Sequence, residues 1–128
     1  MANPVNPELK KVMAVIESYI EGTYRADTDL LKNIFHKDAK MTGYLGGRLL
    51  VGTPEPFFED LKAHPPMSDN KDPYQVDIRA INLAARIASV VIFESGFFGE
   101  GRIETHFHLI KGEDSGDWKI VSKLFTTV

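Results

Sequence analysis

Apolar positions in the first third of the chain recur at three- and four-residue spacing: Leu9, Val12, Met13, Ile16 and Ile20, with Lys10, Lys11, Glu17 and Glu21 elsewhere on the circumference. That period predicts an amphipathic helix centred on Val12 to Ile20. Helical preference weakens across Gly22 to Ala26. Asp27 or Thr28 then offers a side-chain oxygen to the orphan amides of a second, short helix with apolar residues Leu30, Leu31, Ile34 and Phe35. Ala39 to Leu45 reads as a strand, and the Gly46-Gly47 pair turns it into Arg48 to Val51. Thr53-Pro54-Glu55 starts a third helix, with a capping hydroxyl, a proline suited to the first helical position and an acid at the positive end of the dipole. Phe57, Phe58 and Leu61 form its apolar side, Pro65-Pro66 ends it, and Ser68 to Pro73 reads as a surface loop.

The period then changes to two. Tyr74, Val76, Ile78 and Ala80 alternate with Gln75, Asp77 and Arg79, as in a strand with one buried face. Ile87 to Phe93 is apolar on both faces, Ile87, Val91 and Phe93 on one and Ala88, Val90 and Ile92 on the other. Helices cover only one face of a single small sheet, so the other face is expected to meet a second subunit. A glycine-rich turn at Gly96 to Gly101, a strand at Arg102 to Lys111, a turn at Gly112 to Asp117 and a strand at Trp118 to Thr127 complete the chain. The expectation is a single α+β domain over residues 1–128 with a flexible tail at 1–6. About three helices from the N-terminal half pack on the concave face of a cone-shaped, curved antiparallel sheet and leave a hollow apolar mouth.

Composition narrows the function. With 128 residues, 43% hydrophobic and 26% charged, the chain suits one globular domain. The net charge of -3 is interspersed, which gives no field for a polyanion and no expectation of nucleic-acid binding. No apolar run reaches the roughly 20 residues needed to span a bilayer, and the N-terminus lacks a signal-peptide layout, so no membrane partner and a cytoplasmic location are expected. The absence of cysteine removes disulfides, thiolate metal sites and cysteine nucleophiles. The glycines of Gly43 to Gly52 have neither dinucleotide nor P-loop spacing, so no nucleotide cofactor is implied.

Tyr19-Ile20-Glu21-Gly22, Phe35-His36-Lys37-Asp38-Ala39, Gly52-Thr53 and the terminal Trp118 to Phe125 segment resemble the nuclear transport factor 2-like (NTF2-like) superfamily, within it the SnoaL-like and lumazine-binding branches. The resemblance spans nearly the whole chain. It implies a cone-shaped, cystatin-like fold, a pocket between helices and sheet, and homodimers formed through the sheet. The first half is also similar to the ketosteroid isomerases through Tyr19, Asp27, Phe35, Asp38 and Gly52-Thr53, with Tyr19 in the place of that family's oxyanion-hole tyrosine. The place of the general-base aspartate is Gly43, and that of the second aspartate is Thr105. Glycine supplies no base, so isomerase chemistry by that arrangement is not supported.

On this reading the cone is lined by aromatic residues, Phe35, Phe57, Phe58, Phe93 and Phe107, with a few polar groups among them. Tyr19 is a candidate to bind a ligand carbonyl or phenolate; a half-buried core tyrosine with a backbone partner is the alternative. Tyr44 is placed at the mouth. The resemblance turns Thr105, Phe107 and Leu109 toward the pocket, and His106 and His108 toward the dimer face. Glu104, His106 and His108 share one face of a strand, but three such positions are spread too far apart to converge on a metal, and none is expected. Lys123 shares a face with Val121 and Phe125. It has three open roles: pairing an anionic ligand, pairing a buried carboxylate such as Glu94, or reaching solvent on its apolar stem.

The expected function is binding of a small, partly aromatic or planar molecule between helices and sheet, with ligand-binding candidates Tyr19, Phe35, Tyr44, Phe57, Phe93, Thr105, Phe107 and Lys123. The rival is a cofactor-independent SnoaL-like cyclase, dehydratase or isomerase, which needs two titratable groups converging on the cavity.

Overall fold

The computed structural model describes residues 6–128, so the expected tail lies outside the described residues except for Asn6. Asn6 caps the first helix, α1 (Pro7–Arg25), by accepting from the Glu8 amide. Val12, Ile16, Tyr19 and Thr23 form its buried stripe. The helix runs through Gly22, where the sequence suggests fading, because Gly22 packs against Leu31 of the next helix: a Cβ there would lie 2.8 Å from Leu31 Cγ. Tertiary packing overrides local propensity. α2 (Thr28–Ile34) begins at Asp27, whose carboxylate accepts from the Leu30 amide.

β1 (Phe35–Leu45) and β2 (Arg48–Gly52) form the expected hairpin. α3 (Glu55–Ala63) starts at the expected Thr53-Pro54-Glu55 segment: Pro54 is the cap residue rather than the first helical one, its carbonyl accepts from the Phe57 amide, and Thr53 Oγ1 accepts from the Glu55 amide at 3.4 Å. The expected loop after it contains a short helix, α4 (Met67–Asn70), anchored by the buried Met67. β3 (Gln75–Ala84), β4 (Ile87–Phe97), β5 (Gly101–Lys111) and β6 (Trp118–Thr127) form a meander. The sheet order is β2-β1-β6-β5-β4-β3. The sheet expected as antiparallel contains one parallel ladder, between β1 and β6, because the meander brings its last strand alongside the first in the same direction.

Register shifts in β1, β3, β4 and β6 bend the strands, and α1, α2 and α3 pack against the sheet, which is curved and does not close into a barrel. In β4, Ala88, Val90, Ile92 and Glu94 are buried, while Ile87, Ser89, Val91 and Phe93 face outward. In β5, Ile103, Thr105, Phe107 and Leu109 face in, and His106 and His108 are exposed. β6 departs from strict alternation. His108 pairs with Ser122 and Leu109 with Ile120, so Val121 is an extra residue, and Ile120 and Lys123 both point inward. Val121 therefore does not share the face of Lys123.

Among the described residues, no helix is long and apolar enough to cross a membrane.

Candidate functional site

Glu94, Thr105, Phe107, Lys123, Phe125, Met41 and Gly43 come from the buried sides of four adjacent strands. The ladders set them side by side: Lys123 lies opposite Phe107 on β5 and Met41 on β1, and Phe125 opposite Thr105 and Gly43. α1 adds Tyr19 and α3 adds Phe57. Between them is an open cavity of about 320 Å³, whose inner wall is Tyr19, Met41, Phe57, Glu94, Lys123 and Phe125. Leu45, Arg48 and Leu50 of the β1–β2 hairpin, Pro56 and Asp60 of α3, and Phe97 and Ile103 complete the lining.

The position of the lysine is the central electrostatic fact. Lys123 is 6% exposed, and its Nζ sits 3.5 Å from the centroid of the Phe57 ring, 5.2 Å from that of Tyr19 and 5.4 Å from that of Phe125. These rings offer a cation their negative faces. Among the described residues, no carboxylate forms an ion pair with it. Burial pushes its pKa down to about 8, opposed by the charge of Glu94.

Glu94 is 1% exposed. Its carboxylate accepts from the Tyr74 hydroxyl at 2.6 Å and from Thr105 Oγ1 at 3.2 Å. Burial raises its pKa, against the charge of Lys123 and these two hydrogen bonds. The approach of Tyr74 depends on Gly96, whose φ is +67° and where a Cβ would lie 2.0 Å from the Pro73 carbonyl oxygen. Tyr19 and Tyr74 are both held well above the usual phenol range, first by burial and then by the charge of Glu94. Thr23 Oγ1 lies beside both phenols, yet among the described residues it is buried without a hydrogen-bond partner.

Tyr19, Phe57 and Lys123 from the sequence reading thus meet at the cavity. Thr105 reaches it through Glu94. Phe107 is fully buried and packs edge to face on Tyr19 at 4.8 Å, supporting the wall from behind. Four expectations need correction. Phe35 and Phe58, both expected in the lining, pack edge to face on each other at 5.5 Å in the core and away from it. Tyr44 follows Gly43 and so points to the opposite side of the sheet, where it is 51% exposed. Phe93 likewise lies on the outer face, beneath the Arg79 and Arg102 guanidinium groups at 4.4 and 5.3 Å.

The sequence reading missed Tyr74 as part of the site and treated Glu94 only as a partner for Lys123. Glu94 carried a signal, since it continues the buried alternation Ala88, Val90, Ile92. Tyr74 carried one as well, as the first residue of the alternating series Tyr74, Val76 and Ile78, although it lies just before β3.

Gly43 supplies no base and leaves no room for one. A Cβ there would lie 2.1 Å from the Phe125 carbonyl oxygen and 2.6 Å from the Phe125 ring. The outward histidines bring no acid or base to the cavity; His106 Nε2 lies 2.8 Å from Glu104 on the outer face. Among the described residues, no group of three or more His, Asp or Glu is placed to hold a metal ion.

The sequence matches the family described as "Putative lumazine-binding" over residues 7–126. Comparison with curated proteins gives no match. Among solved structures, an NTF2-like protein of unknown function from Shewanella baltica OS155 is 25% identical, with a TM-score of 0.82 and 98% of each chain covered. An NTF2-like protein of unknown function from Methylobacillus flagellatus KT is 21% identical, with a TM-score of 0.83 over 100% of this chain and 98% of that one. A cystatin-like fold protein from Burkholderia xenovorans LB400 is 13% identical, with a TM-score of 0.71 over 96% and 94%. The match covers nearly the whole sequence and the same fold recurs in these relatives: the chain belongs to the putative lumazine-binding family of the NTF2-like superfamily.

Proposed function

We propose that the chain binds a small planar molecule of one or two fused rings, carrying a carbonyl or other acceptor, in the cavity between α1, α3 and the sheet. The observation that carries this reading is Lys123: a buried amine, without an ion pair among the described residues, ringed by aromatic faces in an open cavity. Ligand pockets span about 300–1,000 Å³, so about 320 Å³ suits a compact ligand. Phe57 and Phe125 supply flat apolar contact, Tyr19 and Lys123 supply donors, and Arg48 and Asp60 at the mouth add polar contacts. Lumazine itself, a planar bicyclic ring with two carbonyl acceptors, has the required shape and chemistry. The test is fluorescence titration with lumazine, together with mass spectrometry of small molecules released when the purified protein is denatured. Saturable binding lost in Phe57→Ala supports the reading, whereas neither binding nor any released molecule counts against it.

The outer face of the sheet exposes Tyr44, Leu49, Val51, Ile87 and Leu124 around His106 and His108. This apolar surface supports a homodimer through that face, with the cavities opening away from the interface. Sedimentation showing only monomer at micromolar concentration would contradict it.

A further inference from the structure

Lys123 has features that simple contact with an acceptor does not require. A lysine placed to hold an anion is normally kept protonated by nearby carboxylates or carbonyl oxygens. Among the described residues, Lys123 forms no hydrogen bond or ion pair with either, and three aromatic rings surround its Nζ. The charged and titratable groups facing the cavity are Glu94 from β4, Tyr19 from α1, Arg48 from β2 and Asp60 from α3, with Tyr74 behind Glu94. Glu94 is the one fully buried carboxyl on the lining among the described residues. Two hydrogen bonds fix it, and it sits on the same cavity wall as the amine. An unpaired amine, an immobilised carboxyl and an aromatic cavity open to small molecules are the components of carbonyl condensation.

We propose that Lys123 Nζ condenses with small aromatic aldehydes or ketones in this cavity to form an imine. The neutral nitrogen gives its lone pair to the carbonyl carbon, a C–N bond forms, and the carbonyl π pair moves to oxygen. That oxygen takes a proton from the Glu94 carboxyl, and the nitrogen returns one to Glu94 through water in the open cavity, which leaves a neutral carbinolamine. A second proton from Glu94 lets the C–O bond break with loss of water. The nitrogen then returns its last proton to the carboxylate by the same water-mediated route. The sum is amine plus carbonyl compound giving imine plus water, with Glu94 unchanged. Burial favours the reactive form of the amine. A pKa lowered from 10.5 to about 8 raises the free-base fraction at neutral pH roughly 300-fold. Part of that gain is offset by the lower nucleophilicity of a less basic nitrogen.

The inference rests on the cavity being a small-molecule site, and one experiment separates the two claims. The protein is incubated with benzaldehyde and cyanoborohydride at pH 7, and the benzylated lysines are located by peptide mapping. In parallel, benzamide, a planar analogue that cannot condense, is titrated against the protein by NMR. Lys123 is expected to label at least about tenfold faster than any of the nine other lysines. Lys123→Arg is expected to lose that adduct alone. Labelling spread over the exposed lysines, with Lys123 no faster than the rest, overturns the inference. If benzamide still shifts Tyr19 and Phe57 resonances in that case, the binding site stands without the condensation. If it does not, both fall. The wild-type map decides the question even where the variant folds poorly.

Discussion

Replacing Lys123 with methionine keeps most of the side-chain volume and removes the charge, so the cost of burying that charge becomes measurable. The unfolded chain holds the Lys123 proton to a pKa of 10.5 and the folded chain only to about 8. Between these values the unfolded state binds more protons, so wild-type stability rises with pH. Below pH 8 the full penalty applies; above 10.5 it is gone. Two-state linkage with these values gives about 2 kcal/mol of recovered stability between pH 7 and 9.5. The window stops at 9.5 because buried Tyr19 and Tyr74 resist ionisation and destabilise the fold above the ordinary phenol pKa. Urea denaturation of wild type and Lys123→Met at half-unit steps supplies the difference, in which contributions common to both proteins cancel. The wild type is expected to gain on the variant by about 2 kcal/mol across the window. Parallel pH profiles would refute the claim that the folded protein buries this amine.

Tyr74→Phe removes the shorter hydrogen bond to Glu94 and is expected to cost about 1–3 kcal/mol in urea denaturation, with the Glu94 carboxyl carbon titrating at higher pH by NMR. Gly43→Ala forces a Cβ onto the Phe125 carbonyl between β1 and β6, a backbone clash expected to cost at least about 3 kcal/mol and to lower the melting temperature accordingly. Glu8 accepts from Lys111 Nζ at 2.6 Å and Trp118 Nε1 at 2.7 Å, bonds that hold its pKa down to about 2. Its stabilisation is therefore present above pH 4.5 and lost as pH falls toward 2, so the melting-temperature gap between wild type and Glu8→Gln is expected to shrink over that range.

The helices and strands were legible because their periods are strong: Val12, Ile16 and the glycine-separated strands each match one spacing over several turns or residues. The cavity was less legible. Phe93 and Phe57 are equally apolar in sequence, and only strand parity against the helices separates an outer-face ring from a lining one. Phe93 is odd where buried Ala88, Val90, Ile92 and Glu94 are even; that parity was readable and assigned Phe93 to the face opposite Ile92. Aromatic type alone then drew it into the lining. Tyr44 failed similarly, since the buried set of β1 is Ala39, Met41 and Gly43. In β6 no local signal marks the extra residue at Val121, because the bulge is set by pairing with β5 rather than by a glycine or proline. Lys123 could thus be placed inward beside Phe125, but the bulge that turns Val121 away from them could not be foreseen.

A crystal structure of the protein grown with lumazine tests the binding claim most directly. The ring system is expected against the Phe57 and Phe125 rings that line the cavity, with a carbonyl oxygen in hydrogen-bond contact with Lys123 Nζ. Lumazine seated only on the outer face of the sheet, or a cavity still vacant at saturating ligand, would contradict it.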